Sequence, residues 1–169
     1  PRIVEAFRQG AINAKSAGFD GVEIHGANGY LLDQFRCPFL NDRRDAYGGS
    51  LENRCRLHLE IAREVAAAIG AERTGIRLSP HGQANDMRPD PEPMKTNGYL
   101  AEELQKLGLV YLHLYDQSTS WIHVPDDALL RLHPADVALV DVHLDLERGH
   151  VHQRADTRAS EPAAGRDGR

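Results

Sequence analysis

Three short segments alternate apolar and polar side chains with the same parity, and amphipathic segments with helical spacing lie before and between them. The two-residue period predicts strands at 20–25, 74–79 and 109–115. The period of about 3.6 residues predicts helices at 2–17, 51–69 and 98–107. Because strands that alternate with helices form βα units, the sequence predicts an α/β protein with a parallel sheet.

The polar faces of these strands distinguish them from purely structural strands. Parallel strands covered by helices are usually apolar on both faces, whereas these carry Glu23, His25, Arg77, Ser79, Tyr111, His113 and Tyr115. The apolar faces carry Val22, Ile24, Ile76, Leu78, Val110, Leu112 and Leu114. Since ligands of α/β barrels bind at the carboxyl ends of the strands, we expect a binding site on the polar side.

The first strand runs into a glycine-containing loop that carries further hydrogen-bonding groups. Gly26 and Gly29 allow the backbone to turn sharply. We expect this turn to bring Asn28 and Tyr30 to the same mouth as His25, where together they could hold a polar group. Taken alone, a histidine such as His25 is more often a hydrogen-bonded core residue than a ligand-binding one.

The length of 169 residues allows one domain with a core but is too short for a closed eight-stranded (β/α) barrel, which needs roughly 200 residues or more. The chain starts with Pro1, directly before an amphipathic segment, so we expect it to be part of a larger architecture. We expect the chain to have three regions, which are a partial barrel at 1–116, a divergent segment at 117–146 and a disordered tail at 147–169.

Composition disfavours several classes of function. The formal net charge of -5 and the lack of a basic stripe or long apolar run disfavour nucleic-acid and membrane partners. Cys37 and Cys55 form no CxxC pair, which is typical of free thiols in a reducing compartment, and we expect a cytoplasmic protein. The nine histidines are scattered, so we expect no metal site.

Several motifs of the chain resemble one enzyme family. They are Gly21-Val-Glu-Ile-His-Gly-Ala-Asn-Gly-Tyr-Leu-Leu-Asp-Gln-Phe35, then Asn41, Arg43 and Asp45, then Tyr47-Gly-Gly-Ser-Leu-Glu-Asn-Arg54, and Gly75-Ile-Arg-Leu-Ser-Pro80. Together they are highly specific and resemble the Old Yellow Enzyme family of ene-reductases, which includes 12-oxophytodienoate and N-ethylmaleimide reductases. The resemblance covers residues 2–116.

The resemblance implies an incomplete TIM (β/α)8 barrel of about three βα units and an FMN-dependent oxidoreductase. It implies that NADPH supplies electrons and that the substrate is a small α,β-unsaturated carbonyl compound whose C=C bond is reduced. By position, His25 and Asn28 would bind the substrate oxygen, Tyr30 would be the catalytic proton donor, and Arg77 would bind the flavin. Such donors stabilise developing negative charge.

Other interpretations of the same residues remain open. Arg77 alone could form a buried ion pair with Glu23 on the neighbouring strand. The segment Tyr47-Gly48-Gly49, with Asn53 and Arg54, is interpreted as an anchor for the loop before the helix at Ser50. Since the later strands of the family have no counterpart in 117–169, the chain could instead be a catalytically incompetent barrel remnant that acts only as a binding module.

Overall fold

The computed structural model describes residues 2–115, 138–145 and 150–156 of the chain. In chain order the elements are α1 (Arg2–Ser16), β1 (Val22–His25), α2 (Leu31–Arg36), α3 (Leu51–Ile69), a 3₁₀ turn (Ala71–Arg73), β2 (Thr74–Leu78), α4 (Pro93–Gln105), β3 (Tyr111–Leu114), β4 (Ala138–Asp145) and β5 (His150–Asp156). The fold is α/β, and the three predicted strands alternate with helices as expected.

The strands form one sheet in the order β1-β2-β3-β4-β5. The first four are mutually parallel, and β5 pairs with β4 in the antiparallel direction. Ile24 pairs with Ile76, and Ile76 pairs with Leu112, so three apolar residues lie in one row across the sheet. Residues in register on neighbouring strands point to the same face, which confirms the shared parity.

One face of the sheet packs against the helices and forms the core. The strands contribute Ile24, Ile76, Leu78, Leu112 and Leu114, all at most 3% exposed. The helices cover them with Val4, Ala11, Leu57, Ile61, Val65, Leu100 and Leu104. Burial of these side chains on one face fixes the register, because a slip by one residue would turn every apolar side chain to the opposite face. Val110, predicted for this face, lies before β3 and is 42% exposed.

The boundaries of α3 are those predicted, and the start of α4 is not. The Ser50 hydroxyl accepts a hydrogen bond from the Asn53 backbone N–H at 3.3 Å, and the helix ends before Gly70, whose φ is 104°. Helix α4 begins at Pro93, five residues earlier than the predicted Gly98. Proline breaks a helix in its interior, but at the first helical position it has a suitable φ and needs no N–H partner.

Only part of the C-terminal third can be compared with its predictions. Residues 138–145, within the segment expected to be divergent, form β4, which pairs in parallel with β3 and covers its edge. Within the expected disordered tail, residues 150–156 form β5. The other residues of the regions 117–146 and 147–169 lie outside the described residues, so the proposed region boundaries stay predictions.

Candidate active site

The polar face of the sheet carries two rows of side chains set by strand register. His25, Arg77 and His113 are neighbours in one row across β1, β2 and β3. Glu23, Gly75 and Tyr111 form the next row, nearer the amino ends of the strands. The structure therefore places His25 and Arg77 on the same face, on adjacent strands, as the sequence predicted.

His25 is a neutral imidazole that contacts the predicted proton donor. The ring centroids of His25 and Tyr30 are 5.2 Å apart with an interplanar angle of 52°. Burial and the positive charge of Arg77 lower the pKa of His25, so its ring is uncharged at neutral pH and offers one N–H donor. Tyr30 remains 55% exposed, which leaves its hydroxyl accessible from solvent.

Asn28 adopts a left-handed backbone that is held on both sides. Its φ is 60°, and its N–H donates to the Ser79 hydroxyl at 2.8 Å. Its carbonyl oxygen accepts from Asn85 Nδ2 at 2.7 Å. The side-chain Oδ1 is buried with no hydrogen-bond partner within the described part of the chain. A buried polar atom without a partner is costly, so this carboxamide is suited to a ligand.

Arg77 lies against an aromatic ring rather than a carboxylate. Its guanidinium carbon is 4.2 Å from the centroid of the Tyr115 ring, a cation–π contact that fixes the group while leaving its edges open. Its Nε is buried and has no partner among the described residues. The alternative ion pair with Glu23 is not formed, because Glu23 binds His113 Nδ1 at 2.9 Å.

A buried ion pair that the sequence analysis missed fixes the loop between β1 and α2. Asp33 is completely buried, and its carboxylate accepts hydrogen bonds from Arg36, from the Gly29 backbone N–H at 2.9 Å and from the Ser79 hydroxyl at 3.2 Å. Arg36 also donates to Asn97 on α4 at 3.2 Å. The spacing of three residues between Asp33 and Arg36 was the sequence feature that could have indicated the pair, because residues three apart on a helix are neighbours.

The loop before α3 is anchored by the residues predicted to anchor it. Tyr47 donates its hydroxyl proton to Glu60 at 2.8 Å. Asn53 Nδ2 donates to the Gly48 carbonyl at 3.1 Å, and Arg54 Nε donates to the Arg36 carbonyl at 3.0 Å. These contacts confirm the structural interpretation of the segment and connect α2 to α3.

The remaining candidates lie away from this face or are inert. Cys37 and Cys55 are free and buried, and burial raises the pKa of Cys55 to about 11, so its thiol is protonated. Burial, assisted by Arg36, lowers the pKa of His58 to about 4. In the ranges the structure describes, no group of three or more His, Cys, Asp or Glu is placed to hold a metal, and no helix is long and apolar enough to cross a membrane.

Of the four predicted site residues, three are brought together directly. His25 contacts Tyr30 and is in register with Arg77. Asn28 lies in the same loop as Tyr30 but makes its described contacts with Ser79 and Asn85. Asn85 was not singled out from the sequence. Asn85 lies in the loop between β2 and α4. Its position after a strand was the only feature of the sequence that indicated a role in the site.

Parallel strands that alternate with helices, with the helices on one face of the sheet and polar side chains on the other, are typical of the class of α/β-barrel proteins. The family described as NADH:flavin oxidoreductase / NADH oxidase matches residues 1–123. The chain therefore belongs to this family of FMN-dependent NAD(P)H oxidoreductases, the Old Yellow Enzyme family that its motifs resemble.

Named relatives support the same assignment over part of their length. The chain is 51% identical over 116 residues to 12-oxophytodienoate reductase 2 of Arabidopsis thaliana, covering 69% of this chain and 31% of the relative. It is 53% identical over 117 residues to putative 12-oxophytodienoate reductase 5 of Oryza sativa subsp. japonica, again spanning 31% of the relative. The chain thus spans about a third of the curated relatives.

Solved structures confirm the fold as part of the family's TIM barrel. Morphinone reductase superposes with a TM-score of 0.78 at 40% identity, over 88% of this chain and 40% of that chain. The Old Yellow Enzyme from Trypanosoma cruzi superposes with a TM-score of 0.76 at 33% identity, over 86% of this chain and 40% of that chain.

We predict that Asp33→Asn destabilises the chain by about 3 kcal/mol, because it leaves the buried charge of Arg36 without its carboxylate. The matched control is Asp45→Asn, which breaks an exposed pair with Arg43 and should change stability little. Urea unfolding followed by circular dichroism measures both. Equal losses in the two variants would contradict the anchoring role of the buried pair.

Proposed function

We propose that this polar face is the substrate and flavin site of an ene-reductase that reduces the C=C bond of α,β-unsaturated carbonyl compounds, with FMN as cofactor and NADPH as electron donor. The observation that carries the proposal is the placement of His25 and Arg77 in register on one face, with Tyr30 against the imidazole. Membership of the family indicates the class of reaction, and the positions of the side chains indicate what each of them would do in it.

The unpartnered atoms of the site fit the groups that the proposal requires. Arg77 Nε is a buried donor without an acceptor, and the electron-rich edge of an isoalloxazine ring offers acceptors of this kind. When bound, FMN would supply the hydride. The guanidinium of Arg77, held against Tyr115, would stabilise negative charge on the ring.

His25 and Asn28 would hold the carbonyl oxygen of the substrate. The lowered pKa of His25 keeps the ring neutral, so it offers one N–H donor to the substrate oxygen. The Asn28 carboxamide has its Oδ1 without a partner, and a half-turn of the amide exchanges Oδ1 with the Nδ2 donor. Two donors aimed at one oxygen withdraw electrons from the double bond and make its β-carbon electrophilic.

Tyr30 would hold the proton that the α-carbon receives. Its ring contacts His25, which places the phenol beside the proposed carbonyl ligands, and its partial exposure allows the proton to be replaced from solvent. The α-carbon would receive this proton while the β-carbon receives hydride. The C=C bond would then be reduced without accumulation of charge.

We expect the chain to bind FMN, with quenching of flavin fluorescence and visible absorbance that stays with the protein through gel filtration. Arg77→Met should weaken FMN binding by about tenfold or more, since it removes a charge-assisted donor. Arg73→Met, which removes an exposed arginine just before β2, is the matched control and should bind normally. A colourless parent protein with unquenched flavin would contradict the proposal and favour the alternative of a binding module without catalysis.

We expect Tyr30→Phe to slow the reduction of cyclohexenone by roughly a hundredfold or more, because a general acid contributes factors of this size. Reduction of bound FMN by NADPH should be nearly unchanged in the same variant, since no proton is delivered to an alkene in that step. Stopped-flow absorbance separates the two half-reactions, and Tyr99→Phe on α4 is the control. Equal slowing of both half-reactions would remove Tyr30 from the role of proton donor.

A further inference from the structure

The second row of the polar face contains a carboxylate that interacts with two side chains of β3. Glu23 on β1 accepts a hydrogen bond from His113 Nδ1 at 2.9 Å, and the Tyr111 hydroxyl is near enough for Glu23 and Tyr111 to shift each other's pKa. Both side chains lie on β3, so these interactions span the intervening strand β2. We call Glu23, Tyr111 and His113 the carboxylate cage.

Gly75 makes this reach across β2 possible. It lies between Glu23 and Tyr111 in the same row of the sheet. The ring of Tyr111 occupies the space that a Cβ at Gly75 would fill. Any side chain at this position would displace the ring, so glycine is required for Tyr111 to cover β2 and approach Glu23.

Glu23 and Arg77 carry opposite charges in adjacent rows of neighbouring strands, where they could pair. Glu23 is close enough to Arg77 that the guanidinium contributes to lowering the pKa of Glu23. Within the described ranges, however, Arg77 forms no ion pair with a carboxylate, and its Nε is buried without a partner. A carboxylate on that guanidinium would satisfy it internally and compete with any electron-rich ligand.

We propose that Tyr111 and His113 are positioning residues that hold Glu23 away from Arg77, so that the guanidinium stays available to bind the cofactor ring. This inference rests on the proposed function for the role of Arg77, and on the contacts of Glu23 for the mechanism. It explains why a face built to bind an electron-rich group tolerates a carboxylate next to its arginine.

The ionisation of the cage is consistent with this role. Burial raises the pKa of Glu23, but the hydrogen bond and charge of His113, with the Tyr111 hydroxyl and Arg77, outweigh it, so the pKa is lowered and the group is a carboxylate at neutral pH. Burial and Glu23 raise the pKa of Tyr111 to about 12, so the phenol keeps the proton that it donates. Glu23 is therefore a charged competitor that needs to be restrained.

The test replaces the two polar rings by phenyl rings, which cannot donate to Glu23. In the full chain, the double variant Tyr111→Phe with His113→Phe should release Glu23 to pair with Arg77. The ¹H–¹⁵N signal of Arg77 Nε, assigned by its loss in Arg77→Met, should move, and the affinity for FMN should fall about tenfold. Adding Glu23→Gln to the double variant should restore both the signal and the affinity, and circular dichroism verifies that each variant is folded.

Two outcomes separate this inference from the proposed function. An Arg77 Nε signal that does not move in the double variant, or that moves and is not restored by Glu23→Gln, overturns the carboxylate cage. A parent chain that binds no FMN, together with a signal that moves and is restored, leaves the cage in place and contradicts the proposed function instead.

Discussion

The in-register pairing of β1, β2 and β3 is the constraint on which the other features of the site depend. Burial of Ile24, Ile76 and Leu112 against the helices leaves only one register that keeps apolar side chains out of water. The same register places the alternate residues, His25 and Arg77 among them, together on the opposite face. The chemistry of the site is thus set by the packing of the core on the other side of the sheet.

A second constraint turns a row of strand residues into a three-dimensional site. The loop after β1 would be free to move without a fixed point, and the buried Asp33–Arg36 pair supplies one by binding the Gly29 backbone and the Ser79 hydroxyl. Ser79 in turn holds the Asn28 backbone. The position of the Asn28 carboxamide therefore depends on a charge pair that has no direct part in the proposed reaction.

Local patterns predicted the strands and the shared polar face, because alternation and one-sided burial are properties of short segments. The Arg77–Glu23 pair was a reasonable alternative from the sequence, since the two side chains lie on adjacent strands. Which side chain reaches Glu23 depends on the space above Gly75 and on three strands at once, and no local pattern contains that information. The predicted start of α4 was wrong for a different reason, because a proline such as Pro93 can either break a helix or occupy its first position.

The central claim, that His25 and Arg77 are neighbours on the same face of the sheet, is tested most directly by an NMR titration of the His25 imidazole. Burial and the neighbouring Arg77 hold the pKa of His25 below its ordinary value of 6.5. We expect Arg77→Met to raise this pKa, because a like charge is removed, while Arg73→Met leaves it unchanged. An identical His25 titration in the parent and in Arg77→Met would contradict the account.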